Sequence, residues 1–523
     1  MKAFAALLET LAFTTQRNAK VARLAAYLKT TRDPARGWAL AAVTGELKLP
    51  AVTPSLLRGL AEARVDPELF RLSYDFVGDL AETIALIWPG QGPALDLSLT
   101  EAVEALRLTP RARLPDLIAG WLDGLPPSQR LALVKLATGG LRVGVSARLA
   151  QMAVASLGPH DADAVGEHWH GAAPPYAALL AWAEGGAPPP QADPAPFRPL
   201  MLAHPVEDDT LAGLDPADYA AEWKWDGIRV QAVASGGIRR LYSRTGEDLS
   251  AAFPDLIPAL AFDGALDGEL LVRREGRVAP FNDLQQRVNR KAPGRALIAE
   301  LPAMIRAYDL LVWQGEDLRA LPFHERRARL EAAVARIGSE RIDLSPLVEA
   351  PDWPALDALR RAPPDPVIEG LMLKRLDAPY LPGRPRGLWW KWKRDPMTVD
   401  AVLMYAQRGH GKRSGYYSDF TFGVWDGPEG TETLVPVGKA YFGFTDAELR
   451  QLDRFVRENT TERFGPVRAV APLLVLEVAF EGLQRSPRHR SGVAMRFPRI
   501  ARIRWDKPAV EADRLETLAR RLG

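Results

Sequence analysis

The chain of 523 residues contains no cysteine. This excludes disulfides, thiolate nucleophiles, iron–sulfur clusters and every cysteine-containing zinc module, so oxygen and nitrogen atoms must carry any chemistry. Long apolar runs are also missing. Nothing approaches the roughly 18 uninterrupted residues of a membrane span, and the opening MKAFAALLETLAFTTQR is broken at Glu9 and lacks a small-residue cleavage site. A cytoplasmic protein is expected. Neither charge sign dominates, with 67 Lys and Arg against 65 Asp and Glu, and 42 Gly with 44 Pro are too few for a low-complexity chain. At about 100 to 200 residues per domain, the length predicts a folded protein of several domains.

What is present is patterned along the chain. From Met1 to about residue 184 apolar residues recur at helical spacing, as at Val21, Leu24, Ala25 and Leu28, which predicts an all-α domain over 1–190. It closes on GGAPPPQADPAPFRP, residues 185–199, whose six prolines and two glycines suit an exposed linker. Residues 200–395 read as α+β: short alternating runs carry Asp226-Gly227 and Gly236-Gly237 as hairpin signals, beside the helical stretch ALPFHERRARLEAAVARIG. After Asp395-Pro396, residues 396–523 supply TVDAVLMYAQRG, SDFTFGVWDG, TLVPVGKAYFG and APLLVLEVAFEG, the strand spacing of an all-β barrel of OB type. A closing helix in VEADRLETLARRLG would place Leu515, Leu518 and Leu522 on one face. Arg485, Arg488, Arg490, Arg496, Arg499, Arg502, Arg504 and Lys507, against Asp506 alone, form a basic patch that would attract phosphate.

The sharpest motif is Lys224-Trp225-Asp226-Gly227-Ile228-Arg229, K-x-D-G-x-R, where a strand enters a turn. Taken alone, it also reads as a hairpin turn flanked by solvated charges. Lysine has an ordinary pKa of about 10.4, so a nucleophilic Lys224 needs its ammonium destabilised by burial or by neighbouring cations. Lys391 and Lys393, two apart, share one face of a strand, with Trp390 and Trp392 on the other. The same parity sets Glu222 beside Lys224, with Trp223 and Trp225 behind them. Glu167-His168-Trp169-His170 looks metal-like, but two histidines without further ligands are assigned no metal.

Companion phrases follow: SRTGEDLS at 243–250, LDGELLV at 266–272, AYDLL at 307–311, EGLMLK at 369–374, WWKWKRD at 389–395 and RFPRIARIRWDK at 496–507. In order and spacing, over about residues 200–510, they resemble the motifs of the covalent nucleotidyltransferases: DNA ligases, RNA ligases and mRNA capping enzymes. The resemblance implies that Lys224 attacks the α-phosphate of a nucleoside triphosphate, with Lys391 and Lys393 assisting. It further implies that Glu222 reads adenine, Tyr308 stacks on it, and Arg229 and Arg244 hold ribose and phosphate oxygens. Glu369 would bind Mg²⁺ or Mn²⁺, with Glu269 on the ribose or as second ligand, and Arg499 would be among the residues meeting the triphosphate. The motif at 496–507 would close over the nucleotide through a hinge near Asp395-Pro396.

The first third narrows the resemblance. KLATGGLRVGVSARLAQMA, residues 135–153, is similar to the helical DNA-binding domain of the larger ATP-dependent DNA ligases, which implies that Gly139, Gly140 and Arg142 face DNA. NAD-dependent bacterial ligases carry a four-cysteine zinc module, so ATP is the expected cofactor. The chain is thus similar to the bacterial, three-domain ATP-dependent DNA ligases, with the opening phrase and SYDFVGDLAETIALIWP pointing to a DNA damage response subgroup. Expected partners are nicked duplex DNA, encircled by a monomer, accessory repair proteins and no membrane. An RNA ligase, a guanylyltransferase and a non-enzymatic nick-binding clamp are the alternatives.

Overall fold

The computed structural model describes residues 1–523 except 188–193, 208, 289, 291, 410–414, 429, 466, 487–488 and 523. The middle of the expected linker, Arg488 of the basic patch and Gly523 therefore lie outside the described residues. Contacts divide the chain into two compact units, Met1–Thr53 with Gly90–Arg394, and Pro54–Pro89 with Asp395–Gly523. No helix among the described residues is long and apolar enough to cross a membrane.

Every regular element described between Lys2 and Ala183 is helical. Helix Arg17–Thr30 buries Leu24, Ala25 and Leu28, the stripe that its 3.6-residue period predicts. In the first unit the helices outside Pro54–Pro89 precede two largely antiparallel sheets, built chiefly from β1 (Tyr219–Trp225), β2 (Ile228–Ser235), β3 (Ile238–Ser243), β4 (Gly264–Arg274), β5 (Ala303–Trp313), β6 (Ile368–Arg375) and β7 (Trp389–Lys393). One sheet runs β7-β6-β1, the other β3-β2-β4-β5. Helix Phe323–Ile337 covers the second sheet, sending Leu330 and Ala333 into a core with Leu266, Leu270 and Ile305.

Gly236-Gly237 is a hairpin: β2 and β3 pair through Ser235 and Ile238, and both glycines take positive φ. Asp226-Gly227 is not, contrary to the reading of its dipeptide. β1 and β2 belong to different sheets, and this turn carries the chain from one to the other. The crossing is tight, because a Cβ on Gly227 would stand 2.5 Å from the Leu270 carbonyl oxygen. A second correction concerns the linker. Its last residues pack instead of lying exposed: Ala195 is fully buried, its carbonyl accepts the Tyr242 hydroxyl at 2.8 Å, and the Arg198 N–H donates to Gln231.

In the second unit, strand Met397–Arg408 pairs along its first half with Val475–Phe480 and along its second with Val467–Val470, while Tyr417–Asp426 lies on its other edge. Sharing one long strand in this way rolls the sheet around Phe420, Phe422, Leu476 and Phe480, an OB-like arrangement. The final helix is only Leu515–Ala519, flanked by 3₁₀ turns, and is shorter than its sequence suggests. The residues before it are held on the barrel, where Asp513 N–H donates to the Asp400 carbonyl at 2.8 Å. Leu518 is nonetheless fully buried, with Leu515 and Leu522 packed on the same core.

Candidate active site

The K-x-D-G-x-R lysine stands near the end of β1, and sheet register decides its neighbours. Lys224 lies opposite Gly370 of β6, which lies opposite Lys393 of β7; the adjacent row is Glu222, Met372, Lys391. Residues two apart share a face, so both rows look the same way, while Trp223, Trp390 and Trp392 pack behind with Leu371 and Leu373. Strict alternation would turn Glu369 away from this face. A β-bulge between Ile368 and Gly370 re-aims it. Gly370 at φ 147 makes the bulge possible, since a Cβ there would fall 2.2 Å from the Trp392 carbonyl oxygen.

As a result Glu369 Oε2 receives Lys224 Nζ at 2.6 Å, with Lys393 Nζ at 3.9 Å from the same oxygen. Burial would raise the Glu369 carboxyl, but Lys224 and then Lys393 outweigh it and hold it below its ordinary range. Burial pulls the Lys391 ammonium down, aided by Arg384, Lys393, Lys224 and Arg244, so exposed Arg244 belongs to the same cationic field. Arg384 was not anticipated, because it sits in none of the motifs.

Lys224 itself behaves differently from the sequence expectation. Burial does pull its pKa down, yet Glu369, Glu269 and Asp226 pull harder and the net shift is upward. Cations were legible in the spacing, whereas the carboxylates converge on the lysine from separate strands. Glu269, on β4, is pushed up to about 8 by burial, with Glu369 and Asp267 adding to the rise against Lys224 and Arg229.

This has a measurable consequence. A carboxyl whose folded pKa lies above its unfolded value contributes stability below about pH 4, and loses it as pH rises through the folded value near 8. The melting temperature of the ligand-free protein should therefore fall more steeply between about pH 5 and 8 than that of Glu269→Gln. Equal slopes by calorimetry would mean that Glu269 ionises as an ordinary glutamate.

Arg229 is held by protein groups. Its Nε and Nη2 donate to Asp267 at 3.0 and 2.6 Å, Nη1 donates to the Met201 carbonyl at 2.7 Å, and Nη2 also reaches Tyr380. These donors tie Arg229 to Asp267 on the neighbouring strand β4 of its own sheet, and to Met201 and Tyr380 outside the strands. Tyr308 lies half-buried on β5, its hydroxyl held well above its usual pKa by burial. Glu222 is buried and paired with Lys374 and Arg327. Sequence reasoning missed Lys374, although it closes the EGLMLK phrase and shares the face of Met372.

The remaining candidates have local surroundings of their own. Gly139 ends helix Pro127–Thr138 at φ 68, Gly140 N–H returns to the Lys135 carbonyl at 3.0 Å, and exposed Arg142 follows. Arg499 belongs to the second unit, 4.0 Å from Glu481. The basic patch is partly neutralised within that unit, because Arg504 pairs with Asp506 at 2.9 Å and Lys507 with Asp400 at 2.8 Å. Glu167 bonds Arg319, His168 packs on Trp182 and His170 meets Tyr242 edge-on. No cluster of three or more metal-ligating side chains occurs among the described residues.

Comparison with known proteins bears on these geometries. The family described as "ATP dependent DNA ligase domain" matches residues 200–393, and "ATP dependent DNA ligase C terminal region" matches 413–507. A "Probable DNA ligase" of Anaeromyxobacter sp. (strain Fw109-5) is 36% identical over 447 residues, covering 82% of this chain and 84% of that protein. A "Probable DNA ligase" of Koribacter versatilis (strain Ellin345) is 38% identical over 346 residues, covering 61% of this chain and 59% of that protein. Of two other curated DNA ligases the chain spans 48% and 60% of the length. A solved structure, Pmar-Lig_Pre, shares the fold at a TM-score of 0.63 with 16% identity, covering 96% of this chain and 99% of its own.

Proposed function

Because the chain belongs to the ATP-dependent DNA ligase family, we propose that it seals nicks in duplex DNA through a covalent Lys224–AMP intermediate. The observation that carries this reading is Lys224 Nζ 2.6 Å from Glu369, on a face shared with Lys393 and Lys391. In the first step the Nζ lone pair forms a bond to the α-phosphorus of ATP and pyrophosphate leaves. In the second, a 5′-phosphate oxygen of the nick displaces Lys224 from that phosphorus. In the third, the 3′-hydroxyl attacks the activated 5′-phosphate and AMP departs.

Before the first step Lys224 must lose its proton, which the Glu369 contact opposes in the ligand-free chain. Lys391 and Lys393 meet the phosphate charge, and the burial that lowers Lys391 strengthens that attraction by excluding water. The carboxylates fit a divalent cation: burial, with Glu369 adding to the rise, pushes Glu269 up to about 8, and a cation would favour its charged form. Glu369 and Glu269 would hold Mg²⁺ or Mn²⁺, which supplies neutralisation of phosphate charge when bound. Arg244 is assigned to nucleotide oxygens, Tyr308 to the adenine face, Glu222 to its edge and Arg499 to the triphosphate. Gly139, Gly140 and Arg142 are assigned to DNA phosphates; the exposed Arg142 guanidinium suits a phosphate oxygen, a contact that carries no sequence preference.

Three domains, 1–190, 200–395 and 396–523, are proposed to work as a monomer on nucleoid DNA in the cytoplasm, serving repair, replication or recombination. The test is conversion of a 5′-labelled nicked duplex to joined product with ATP and a divalent metal. Joining is expected with ATP and not GTP, and nick affinity should fall about 10-fold or more between 50 and 200 mM salt. Failure to join by protein freed of bound AMP would end this reading.

A further inference from the structure

Arg306 has no part in the steps above, yet on β5 it sits opposite Glu269 of β4, beside the site, with its side chain only 13% exposed. Its Nε and Nη2 donate to Asp343 Oδ1 and Oδ2 at 3.0 and 2.7 Å, a paired geometry that fixes the plane of a guanidinium. Asp343 is its register partner on the parallel strand Ile342–Leu344. The guanidinium carbon stands 4.2 Å from the ring centre of Trp225, and an indole face attracts such a cation most strongly away from water. Trp225 directly follows Lys224 and is the last residue of β1, in the other sheet. Its Nε1 is buried without a hydrogen-bond partner among the described residues, so no hydrogen bond fixes the ring. Beyond it the Asp226 N–H donates to the Val367 carbonyl at 3.0 Å, and Gly227 leaves no room for a Cβ against Leu270. The strand end after Lys224 is thus tied at three successive residues.

We propose that Arg306 is a positioning residue: anchored by Asp343, it clamps the Trp225 ring from the second sheet and so holds the neighbouring Lys224 in line for attack. The inference rests on the nucleotidyl-transfer reading of Lys224. Attack needs the amine aligned with the bond that breaks, and a misplacement of about 1 Å can cost about 100-fold in rate. Arg306 acts through Trp225 and is assigned no contact with the nucleotide. Releasing the clamp should therefore slow the covalent step without weakening the hold on ATP.

The experiment follows single-turnover labelling of Lys224 by α-labelled ATP, read as the maximal rate and the ATP concentration that gives half of it. It compares wild type with Arg306→Met, Arg306→Lys, Trp225→Leu, Trp225→Phe, Asp343→Asn and the double variant Arg306→Met with Trp225→Leu. Arg306→Met and Trp225→Leu should each lower the maximal rate about 10-fold or more and move the half-saturating ATP by less than about twofold. Trp225→Phe keeps a ring face and Arg306→Lys keeps a cation, so both should retain more of the rate than Trp225→Leu and Arg306→Met. The double variant should be no slower than the slower single one, because both changes release the same clamp. The deficit should also persist from about pH 7 to 9, since it is geometric; recovery at the higher pH would make Arg306 a charge acting on the Lys224 proton and overturn the clamp. A wild-type maximal rate in Arg306→Met, or losses that multiply in the double variant, would overturn it too. Should Arg306→Met not fold by circular dichroism, Trp225→Leu and Asp343→Asn carry the test, and wild-type rates in both overturn the proposal. Absence of label in wild type freed of bound AMP would sink the ligase reading itself, a result distinct from an unchanged rate in a variant.

Discussion

Lys224→Ala is expected to take up no label from α-labelled ATP and to seal nicks at least about 10⁴-fold more slowly than wild type, the scale on which removing a covalent nucleophile acts. The loss should be chemical and not structural. Lys224 lies at the strand end next to the crossing turn, its ammonium is bonded to Glu369, and Glu369 keeps Lys393 within 3.9 Å once the ammonium is gone. Lys391 and Lys393 should not substitute. Each occupies its own cross-strand position opposite Met372 and Gly370, so reaching the phosphorus from the Lys224 position would require a shift of β7 in the sheet. Lys224→Arg tests the point from another side, since it keeps the charge but cannot present a neutral amine. Both variants should sediment and melt close to wild type, and denaturing gels report the label. Label persisting in Lys224→Ala would transfer the nucleophile to another residue, and peptide mapping would then identify it.

The parts of this site legible in the sequence are those that depend on local periodicity. Residues two apart on a strand share a face whatever the tertiary context, so Glu222 with Lys224, and Lys391 with Lys393, follow from spacing alone. Glu369 shows where that logic ends, because one extra residue in β6 reverses its side, and the glycine of EGLMLK hints at a bulge without saying which side chain it re-aims. Asp226-Gly227 signals a turn but carries no information on which strand comes next, and so the sheet crossing reads as a hairpin. Burial of charge is equally non-local. Lys374, Arg326 and Asp309 look like surface residues in sequence, and only the packing of β5, β6 and helix Phe323–Ile337 encloses them. The upward shift of Lys224 belongs to the same class, since it depends on carboxylates brought from β4, β6 and the crossing turn.

The largest stability effect should come from Asp309→Ala, one residue beyond Tyr308. Asp309 and Arg326 are both fully buried and pair through two bonds, Nε to Oδ1 at 2.8 Å and Nη2 to Oδ2 at 3.0 Å. Arg326 Nη1 also donates to the carbonyls of Leu321 and Ala378, at 2.6 and 2.9 Å, so the guanidinium is held in place and cannot swing out to water. Removing the carboxylate leaves a desolvated cation with no counter-charge, which costs about 3 to 5 kcal/mol. Asp309→Asn, which keeps the shape and an acceptor, should cost less. Replacing both partners with apolar residues, Asp309→Leu with Arg326→Met, should recover much of the loss because no uncompensated charge remains. With two compact units, unfolding need not be a single transition, so the quantity to follow is the first transition in urea, monitored together with Lys224 labelling. Because β5 also carries the Tyr308 carbonyl that Lys374 bonds, the activity of Asp309→Ala should fall at urea concentrations below its unfolding midpoint. A midpoint equal to wild type would mean that Arg326 finds another counter-charge and that β5 does not depend on this pair.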